Sequence, residues 1–316
     1  MLMNTIVLTT CSASHLGAAK NMCDSVLRYN PGYKCFIGLV DRIDGRFDPQ
    51  RFAPHTIVEA HTIGLAEFEE MTERYNVFEL SCAMKSFFAA HLLETYKPER
   101  LIYFDTDIMI FHPLQLVEQE LESSSFLITP HTSHLFPADG QLPGDRDLLR
   151  TGIYNAGFYA MKDDENTRAI LRWLNSKMIT QCHDNPADGL FVDQKWFNLV
   201  PGYFDGVKQV THPGLNAAYW NLHERQVHRE GGHFTVNGQP LIFFHFSGYS
   251  TDMPDRVSRH QGRISLQQTP ALPSLFRIYH DALISAGHRE LLSLTYSYKK
   301  ESFGKKLKRI LKGGKR

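Results

Sequence analysis

Two aspartates, Asp105 and Asp107, are the residues whose type and spacing most clearly indicate chemistry. They follow the apolar run Leu101–Phe104, so they are predicted to lie where a buried strand leaves its sheet. Two carboxylates one residue apart repel each other unless a cation or solvent lies between them. Hard divalent cations such as Mg²⁺ or Mn²⁺ bind such oxygens and keep open positions for phosphate oxygens. The pair therefore indicates a metal–diphosphate site, and the alternative is a polar turn that only ends the strand.

A histidine, His245, lies near the end of a second strongly apolar run, Leu241–Phe246, which leads into Ser247 and Gly248. A glycine at this point allows the backbone to approach a ligand closely. A neutral imidazole can complete a mixed oxygen and nitrogen shell, which favours Mn²⁺ over Mg²⁺. We therefore predict that His245 is a third metal ligand. Other histidines have no ligand-like spacing and are given no role: His131, His134, His212, His223, His228 and His233.

The elements that must position these side chains alternate between strands and helices. Apolar runs and helical spacings predict, in order, a strand over 6–10, a helix over 14–29, a strand over 35–40, a helix over about 65–96, strands over 100–104, 108–111, 125–129 and 153–160, a helix over 163–178, a strand over 241–246 and a helix over about 273–286. The first three elements form a βαβ unit with parallel strands. In open α/β sheets, ligands bind at the carboxyl ends of the strands, where the two aspartates are expected.

Composition restricts the class of protein further. The 316 residues contain 34 Lys and Arg against 34 Asp and Glu, so the net charge does not indicate a nucleic-acid partner. The hydrophobic fraction of 42% excludes a disordered chain, and no apolar run reaches the ~18 residues of a membrane span. The cysteines are odd in number and contain no C-x-x-C pair, so they predict neither a disulfide framework nor a zinc site. Because the N-terminus lacks the features of a secretory signal, we expect a cytoplasmic location.

The C-terminal end differs from the rest of the chain in charge. Residues 299–316 carry nine Lys or Arg and one acid, and four apolar residues have helical spacing among them: Phe303, Leu307, Ile310 and Leu311. Such a segment would lie on an anionic membrane surface, with ~1 kcal/mol from each basic residue. The alternative is a solvated, disordered end. We accordingly expect one α/β domain over residues 1–265, and a C-terminal helix with a basic amphipathic tail over 266–316.

Four short motifs occur in an order that resembles a known family. Together they are similar to the nucleotide-sugar glycosyltransferases of the GT-A fold, most closely family 8, and they are Asp105-Thr-Asp107, Asn155-Ala-Gly157, Asp193-Gln194 and His245-Phe-Ser-Gly248. The resemblance spans residues 4 to 250. It implies a mixed, mostly parallel central sheet flanked by helices. It also implies a Mn²⁺-dependent (or Mg²⁺-dependent), retaining transfer of a hexose from a nucleoside-diphosphate sugar to a saccharide or lipid-linked saccharide, in the synthesis of a surface polysaccharide.

The resemblance also implies a role for each matching residue. Asp105 would contact the donor and the metal, and Asp107 and His245 would bind the metal. The remaining donor contacts would come from Thr9 and Thr10 after the first strand, Lys85 on the helix before Asp105, the Asn155, Ala156 and Gly157 wall, and Gly248. Asp193 would hydrogen-bond sugar hydroxyls, and Gln194 would lie near the anomeric carbon. These last two residues are the expected catalytic pair.

Two departures from the family pattern affect the donor site. The family often has acidic or amide residues after its first strand, but here the loop is Thr9–Ser12, so the base could be uracil, which we favour, or guanine. The family also commonly has Lys-Pro after His-x-x-Gly to hold the diphosphate. This chain has no lysine there, so either Arg256 or Arg259 would supply the charge, or the metal would carry more of it.

Two chemical routes are consistent with the residues. In the favoured route, the acceptor hydroxyl attacks from the leaving-group face and its proton passes to the departing phosphate, with Asp193 and Gln194 as stabilisers. Pre-oriented charges and dipoles are usually the largest catalytic contribution in such a site. In the competing route, a carboxylate, with Asp193 as the candidate, forms a covalent glycosyl-enzyme intermediate.

Other classes of protein were also considered. Asp105-Thr-Asp107 resembles the motif of haloacid-dehalogenase-type phosphatases, with Asp105 as nucleophile and Asp163-Asp164 as the late acidic pair. That motif normally opens its domain, whereas here about 100 residues precede it. A dinucleotide oxidoreductase lacks its Gly-x-Gly-x-x-Gly after the first strand. The third alternative is a nucleotide-sugar-binding module without turnover.

Overall fold

The computed structural model of the protein describes residues 4–298. Within this range there are fifteen strands: β1 Thr5–Cys11, β2 Lys34–Leu39, β3 Thr56–Glu59, β4 Arg100–Phe104, β5 Ile108–Ile110, β6 Phe126–Pro130, β7 Tyr154–Lys162, β8 Asp184–Asn185, β9 Leu190–Phe191, β10 Val207–Gln209, β11 Ala217–Ala218, β12 Val227–Glu230, β13 His233–Val236, β14 Gln239–Pro240 and β15 Phe243–His245. The basic tail, for which a membrane-surface role was predicted, lies outside the described residues.

The same range contains nine α-helices: α1 Leu16–Tyr29, α2 Phe68–Arg74, α3 Val77–Tyr96, α4 Gln115–Glu122, α5 Asp145–Thr151, α6 Glu165–Met178, α7 Val200–Tyr203, α8 Ala271–Ser285 and α9 His288–Leu291. One helix predicted over 65–96 is instead two, α2 and α3. The chain breaks at Asn76, whose side chain accepts hydrogen bonds from Phe78 and Glu79 and so caps α3. In the part of the chain that is described, no helix is both long and apolar enough to cross a membrane.

A seven-stranded sheet forms the centre of the molecule, in the order β10-β6-β7-β4-β1-β2-β3. Strands β4, β1, β2 and β3 are parallel neighbours, and β7 is antiparallel to both β4 and β6. The predicted βαβ unit and its parallel pairing are therefore confirmed. Because β4 lies inside the sheet, the residue that follows it emerges at the middle of the carboxyl edge.

Helices cover both faces of this sheet, as the alternation of side chains along β1 illustrates. Ile6 and Leu8 pack with α3 and α6 on one face, whereas Val7 packs with α1 and α4 on the other. Successive residues of a strand point to opposite faces, so a strand covered on both sides is apolar throughout. Burial of these two layers leaves the carboxyl edge of the sheet as the place for polar side chains.

A smaller sheet, β11-β15-β5, lies beside this edge. Strand β5 pairs antiparallel with β15, so that Ile108 faces His245. The backbone N–H of Phe246 also donates to the carbonyl of Asp107 at 2.8 Å. Residues more than a hundred positions apart in the chain thus become neighbours, and α8 packs on the outer side of β15 to hold it there.

Candidate active site

The two aspartates lie where β4 ends. The backbone N–H of Asp105 donates to the carbonyl of Gly157 on β7 at 2.8 Å, which fixes the turn that follows Phe104. Oδ1 of Asp105 accepts from the Tyr103 hydroxyl at 2.7 Å. About a third of each aspartate side chain is exposed, 30% for Asp105 and 35% for Asp107, so both carboxylates face an open side of the molecule.

His245 faces Asp107 from the end of β15. Its Nε2 lies 2.9 Å from Oδ1 of Asp107, and its Nδ1 lies 3.3 Å from Oδ1 of Asn216. Because an amide oxygen only accepts, Nδ1 donates to Asn216, and Nε2 is the nitrogen that faces Asp107. Partial removal from water works to raise the pKa of Asp107, yet the His245 ring outweighs it and the pKa is lowered.

The three side chains form a set suited to a divalent cation. One donor atom from each of Asp105, Asp107 and His245 lies within 4.8 Å of the others. Gly157 makes this approach sterically feasible, because a Cβ at that position would lie 2.4 Å from Cε1 of His245 and 2.9 Å from Oδ2 of Asp105. Two carboxylates and one imidazole with an oriented second nitrogen fit the preference of Mn²⁺.

Lys85 provides a buried positive charge behind this set. From α3, its Nζ reaches Oδ1 of Asp105 at 3.0 Å, Oδ2 of Asp193 at 3.3 Å and the carbonyl of Ala156 at 3.2 Å. Burial opposes the charge, but Asp105 and then Asp193 outweigh that effect and hold the pKa of Lys85 well above its ordinary value. Lys85 therefore stays charged and links the two acids.

Asp193 follows a residue with a strained backbone conformation. Val192, directly before it, has a φ of +40°, a conformation that β-branched residues rarely adopt. The Asp193 side chain is 6% exposed, and burial raises its pKa despite the attraction of Lys85. Strain of this kind persists where the surrounding structure fixes a residue, and it is common at functional sites.

Gln194 links the beginning of β7, where Asn155 lies, to the end of α5. Oε1 of Gln194 accepts from Nδ2 of Asn155 and from the backbone N–H of Ala156, both at 3.3 Å. Its Nε2 donates to the carbonyl of Thr151 at 3.0 Å. The amide of Gln194 is thus engaged at both ends, and it holds the start of β7 against the end of α5.

Two residues of the site were missed by the sequence analysis, Asn216 and His131. Nδ2 of Asn216 donates to Oδ1 of Asn155 at 3.0 Å while its Oδ1 faces His245. Nδ1 of His131 donates to the carbonyl of Ile153, so its Nε2 accepts from Asn155. Burial lowers the pKa of His131 to about 4 and keeps it neutral. The sequence signal that could have found Asn216 is the segment Asn216–Asn221, in which two asparagines flank Tyr219 and Trp220.

Thr9 and Thr10 lie at the carboxyl end of β1, one strand away from Asp105. Both Oγ1 atoms are buried without a hydrogen-bond partner among the described residues. Buried hydroxyls are normally partnered, so these two are available to a ligand. Asp41, which follows β2, is already engaged: its carboxylate accepts from the backbone N–H groups of Ala13, Arg42 and Ser297, and from Arg46.

A segment with basic side chains, residues 248–260, lies near Asp105, Asp107 and His245, which we call the metal set. Gly248 has a φ of +73°, and a Cβ there would lie 2.4 Å from Cδ2 of His260. Partial removal from water and then the charge of Arg259 lower the pKa of His260, while Asp107 acts in the opposite direction. Arg259 and Asp107 therefore both affect the pKa of the His260 ring, in opposite directions. Arg256, the other candidate, is exposed, and within the described range its hydrogen bonds are to Met253.

Two aromatic residues near the site, Phe104 and Trp220, have different positions. Phe104 is fully buried and packs on Phe158 and Phe243, so it belongs to the core. Trp220 packs edge-on against His245 with ring centroids 5.0 Å apart. The second acidic pair of the phosphatase alternative, Asp163-Asp164, lies at the opposite end of β7 from Gly157, where Asp164 caps α6. It cannot meet Asp105.

Comparison with known proteins finds relatives of undescribed activity. No protein-family model matches the chain. YfnF of Bacillus subtilis (strain 168), described as uncharacterized, is 28% identical over 183 residues, which is 57% of this chain and 60% of the relative. YfnD of the same organism, also uncharacterized, is 26% identical over 199 residues, 62% of this chain and 61% of the relative. The chain thus spans about three fifths of the length of each.

Solved structures identify the fold. The galactosyltransferase LgtC in complex with donor and acceptor sugar analogues superposes with a TM-score of 0.51 at 10% identity, over 89% of this chain and 95% of LgtC. The bifunctional glycosyltransferase WbbM has a TM-score of 0.51 at 12% identity, over 92% of this chain and 51% of WbbM. At these identities the likeness concerns the fold alone. The predicted GT-A fold, with its mixed, mostly parallel sheet, is confirmed, and it resembles that of family 8.

Proposed function

We propose that the protein is a metal-dependent glycosyltransferase that transfers a hexose from a nucleoside-diphosphate sugar to a hydroxyl of a saccharide or lipid-linked saccharide. The observation that carries the proposal is the convergence of Asp105, Asp107 and His245 within 4.8 Å at the carboxyl edge of a GT-A sheet. Ligands of open α/β sheets bind at this edge. Mn²⁺ is favoured over Mg²⁺ because His245 contributes nitrogen.

The residues around this set suit a departing diphosphate. A divalent cation held by Asp105, Asp107 and His245 would neutralise the charge that develops on the leaving group. Arg259 would supply further positive charge, since its Nε donates to Nε2 of His260, the ring that packs against Gly248. Gly248 lets the backbone approach the His260 ring closely, because a side chain at position 248 would collide with that ring. Arg259 thereby takes the place of the lysine that the family commonly has.

The polar groups near Asp193 suit the donor sugar. Asp193 and Lys85 form a buried, fixed pair that can hydrogen-bond hydroxyls without reorganising, which is the condition for strong electrostatic stabilisation. The ammonium of Lys85 draws electron density from the Asp193 carboxylate and so disfavours its attack on the sugar. We therefore favour attack by the acceptor from the leaving-group face, which retains the anomeric configuration. Gln194 acts as a positioning residue for Asn155 and Ala156.

A uridine-linked donor is favoured over a guanosine-linked one. Guanine presents two adjacent N–H donors that a carboxylate meets best. Asp41 is the acid nearest to the ends of β1 and β2, and it is occupied by four internal donors. The free hydroxyls of Thr9 and Thr10 can both donate and accept, which suits the mixed edge of uracil or the ribose.

Exposed apolar side chains beside the site favour a lipid-linked acceptor. Leu135 is 88% exposed and Leu149 is 71% exposed, and Ile153, directly before β7, is 47% exposed. Exposed apolar groups commonly mark a binding region where they share one surface. They lie on the segment that leads into Asn155, so an acceptor held there would present its sugar to the donor. A role in surface-polysaccharide synthesis is consistent with such an acceptor.

Donor hydrolysis tests the proposal directly. The protein is incubated with UDP-glucose, UDP-galactose, UDP-N-acetylglucosamine and GDP-mannose in Mn²⁺, and released nucleoside diphosphate is measured. We expect turnover of one uridine-linked donor and its loss in Asp107→Asn, but not in Asp145→Asn, which changes an exposed aspartate on α5. Release of phosphate from p-nitrophenyl phosphate, with all sugar donors intact, would instead support the phosphohydrolase. Binding of a donor without any turnover would support the binding module.

A further inference from the structure

A second cluster of metal-ligating side chains lies on the α1 face of the sheet. It consists of Cys23 on α1, Cys35 on β2 and His55 in the turn before β3, and one donor atom of each lies within 4.8 Å of the others. All three residues are buried, with exposed fractions of 0%, 3% and 7%. Cys35 pairs with Val7 near the amino end of β1, so the cluster is at the opposite end of the sheet from Asp105.

The orientation of His55 is fixed by a carboxylate. Its Nε2 lies 2.8 Å from Oδ1 of Asp24, so Nε2 carries the proton of the neutral ring. The lone pair is then on Nδ1, which is buried and has no hydrogen-bond partner among the described residues. An unpartnered nitrogen beside two thiols is costly unless something binds it. A histidine that donates its other N–H to a carboxylate is the usual arrangement of a metal ligand.

We propose that Cys23 Sγ, Cys35 Sγ and His55 Nδ1 form a zinc site, with Asp24 as the residue that orients His55. Thiolate sulfur and imidazole nitrogen are the donors that Zn²⁺ prefers. Two thiolates balance the charge of one Zn²⁺, whereas monovalent copper would leave a net negative charge in a buried place. Each thiol releases its proton on binding, and the ion takes the lone pair of the neutral imidazole. Three protein ligands leave one position of the tetrahedron for a water molecule.

A disulfide between the two cysteines fits the observations less well. Its formation needs an external oxidant to reach sulfurs that are almost completely buried. It would also leave Nδ1 of His55 without a partner. A bound Zn²⁺ would join α1, β2 and the turn before β3, which form the first βαβ unit. Such an ion would stabilise this unit, and the site does not depend on the proposed transferase function.

Cobalt titration distinguishes this site from the acidic one. Co²⁺ is added to the full chain under reducing, anaerobic conditions, and the near-ultraviolet absorption of thiolate-to-cobalt charge transfer is recorded. The set Asp105, Asp107 and His245 contains no sulfur and cannot produce this band. We expect a band that saturates at one Co²⁺ per chain, disappears when Zn²⁺ is added, and is absent in Cys35→Ser.

Variants at the rim test the arrangement without disturbing the buried cysteines. Asp24→Asn removes the carboxylate that orients His55 and is expected to weaken Co²⁺ about 10–100-fold. Lys20→Met is the matched control, because it removes the other partner of Asp24 and leaves His55 untouched. It should leave the affinity unchanged. Absence of the charge-transfer band in the reduced, folded protein would overturn the proposal, as would equal Co²⁺ affinity in Asp24→Asn. A two-hydrogen mass loss on mild oxidation, with no metal uptake after reduction, would indicate a redox pair instead.

Discussion

The ammonium of Lys85 meets the carboxylate of Asp105 at Oδ1. Nζ of Lys85 lies 3.0 Å from Oδ1 of Asp105, the same oxygen that accepts from the Tyr103 hydroxyl. Oδ2 is thereby left on the side of Gly157 and His245. Lys85 and Tyr103 thus orient Asp105 so that its free oxygen faces the other two members of the metal set. A charged residue on α3 determines the geometry of a site built at strand ends.

Replacing Lys85 by Met is expected to reduce stability and activity together. The substitution leaves Asp193 buried without its counter-charge, which costs about 3–5 kcal/mol in the free energy of unfolding. Urea denaturation measures this loss. The double variant Lys85→Met with Asp193→Asn removes the unpaired charge as well and should regain most of the stability while donor hydrolysis stays absent. A double variant with normal turnover would contradict the role given to the pair.

Adding one methyl group at Gly157 is expected to disrupt the metal set. The Cβ of Gly157→Ala would lie 2.4 Å from Cε1 of His245 and must displace the ring. We expect Mn²⁺ affinity, measured by calorimetry, to fall at least about tenfold, because the displaced His245 leaves two ligands of three. Gly202→Ala is the matched control, since a Cβ there meets no atom within 4 Å. Equal Mn²⁺ affinity in the two variants would show that His245 is not a ligand.

Replacing His245 by Asp is expected to change metal preference as well as affinity. The variant offers only oxygen ligands, and Mg²⁺ accepts such a set more readily than one containing imidazole. We expect the preference for Mn²⁺ over Mg²⁺, measured as the ratio of their Kd values, to fall about tenfold. His228→Asp changes an exposed histidine on β12 and should preserve the ratio. An unchanged ratio in His245→Asp would mean that the imidazole does not touch the ion.

Acid is expected to destabilise the protein through His131. Its pKa is lowered to about 4 by burial, whereas in the unfolded chain it is near the ordinary 6.5. As the pH falls from 6.5 to 4, the unfolded chain binds a proton that the folded chain does not, so stability is lost, by about 3 kcal/mol at most. The free energy of unfolding, measured across this pH range, should depend less steeply on pH in His131→Gln. His228→Gln should keep the slope of the unsubstituted protein.

The parts of the fold that rest on local pattern could be predicted from the sequence. The run 101–104 is apolar because β4 is covered on both faces, and the aspartates after it mark the carboxyl edge. The break between α2 and α3 was missed because apolar spacing continues through it, although Asn76 and Glu79 are the signature of a cap. Strand β3 was missed because it is an edge strand of four residues, too short for a clear pattern of apolar residues.

The parts that rest on distant contacts could not be predicted in this way. Asn216 contacts His245 and Asn155 because β11 and β15 are neighbours, and no spacing in the chain encodes that pairing. The same holds for Cys23 and Cys35, whose separation of twelve residues matches no ligand motif. The expectation of no zinc site followed from that motif rule alone. The convergence of Asp105, Asp107 and His245 was foreseeable because the aspartates follow one strongly apolar strand and His245 ends another.

Calorimetric titration of a nucleotide sugar with and without Mn²⁺ tests the central claim most directly. UDP-glucose and UDP-galactose are titrated into the protein in saturating Mn²⁺, and again in EDTA. The proposed site predicts that the binding heat of the accepted donor appears only with the metal and is lost in Asp107→Asn even when Mn²⁺ is present. Equal binding of that donor in EDTA, or undiminished binding in Asp107→Asn, would contradict the assignment of Asp105, Asp107 and His245 to one donor-binding ion.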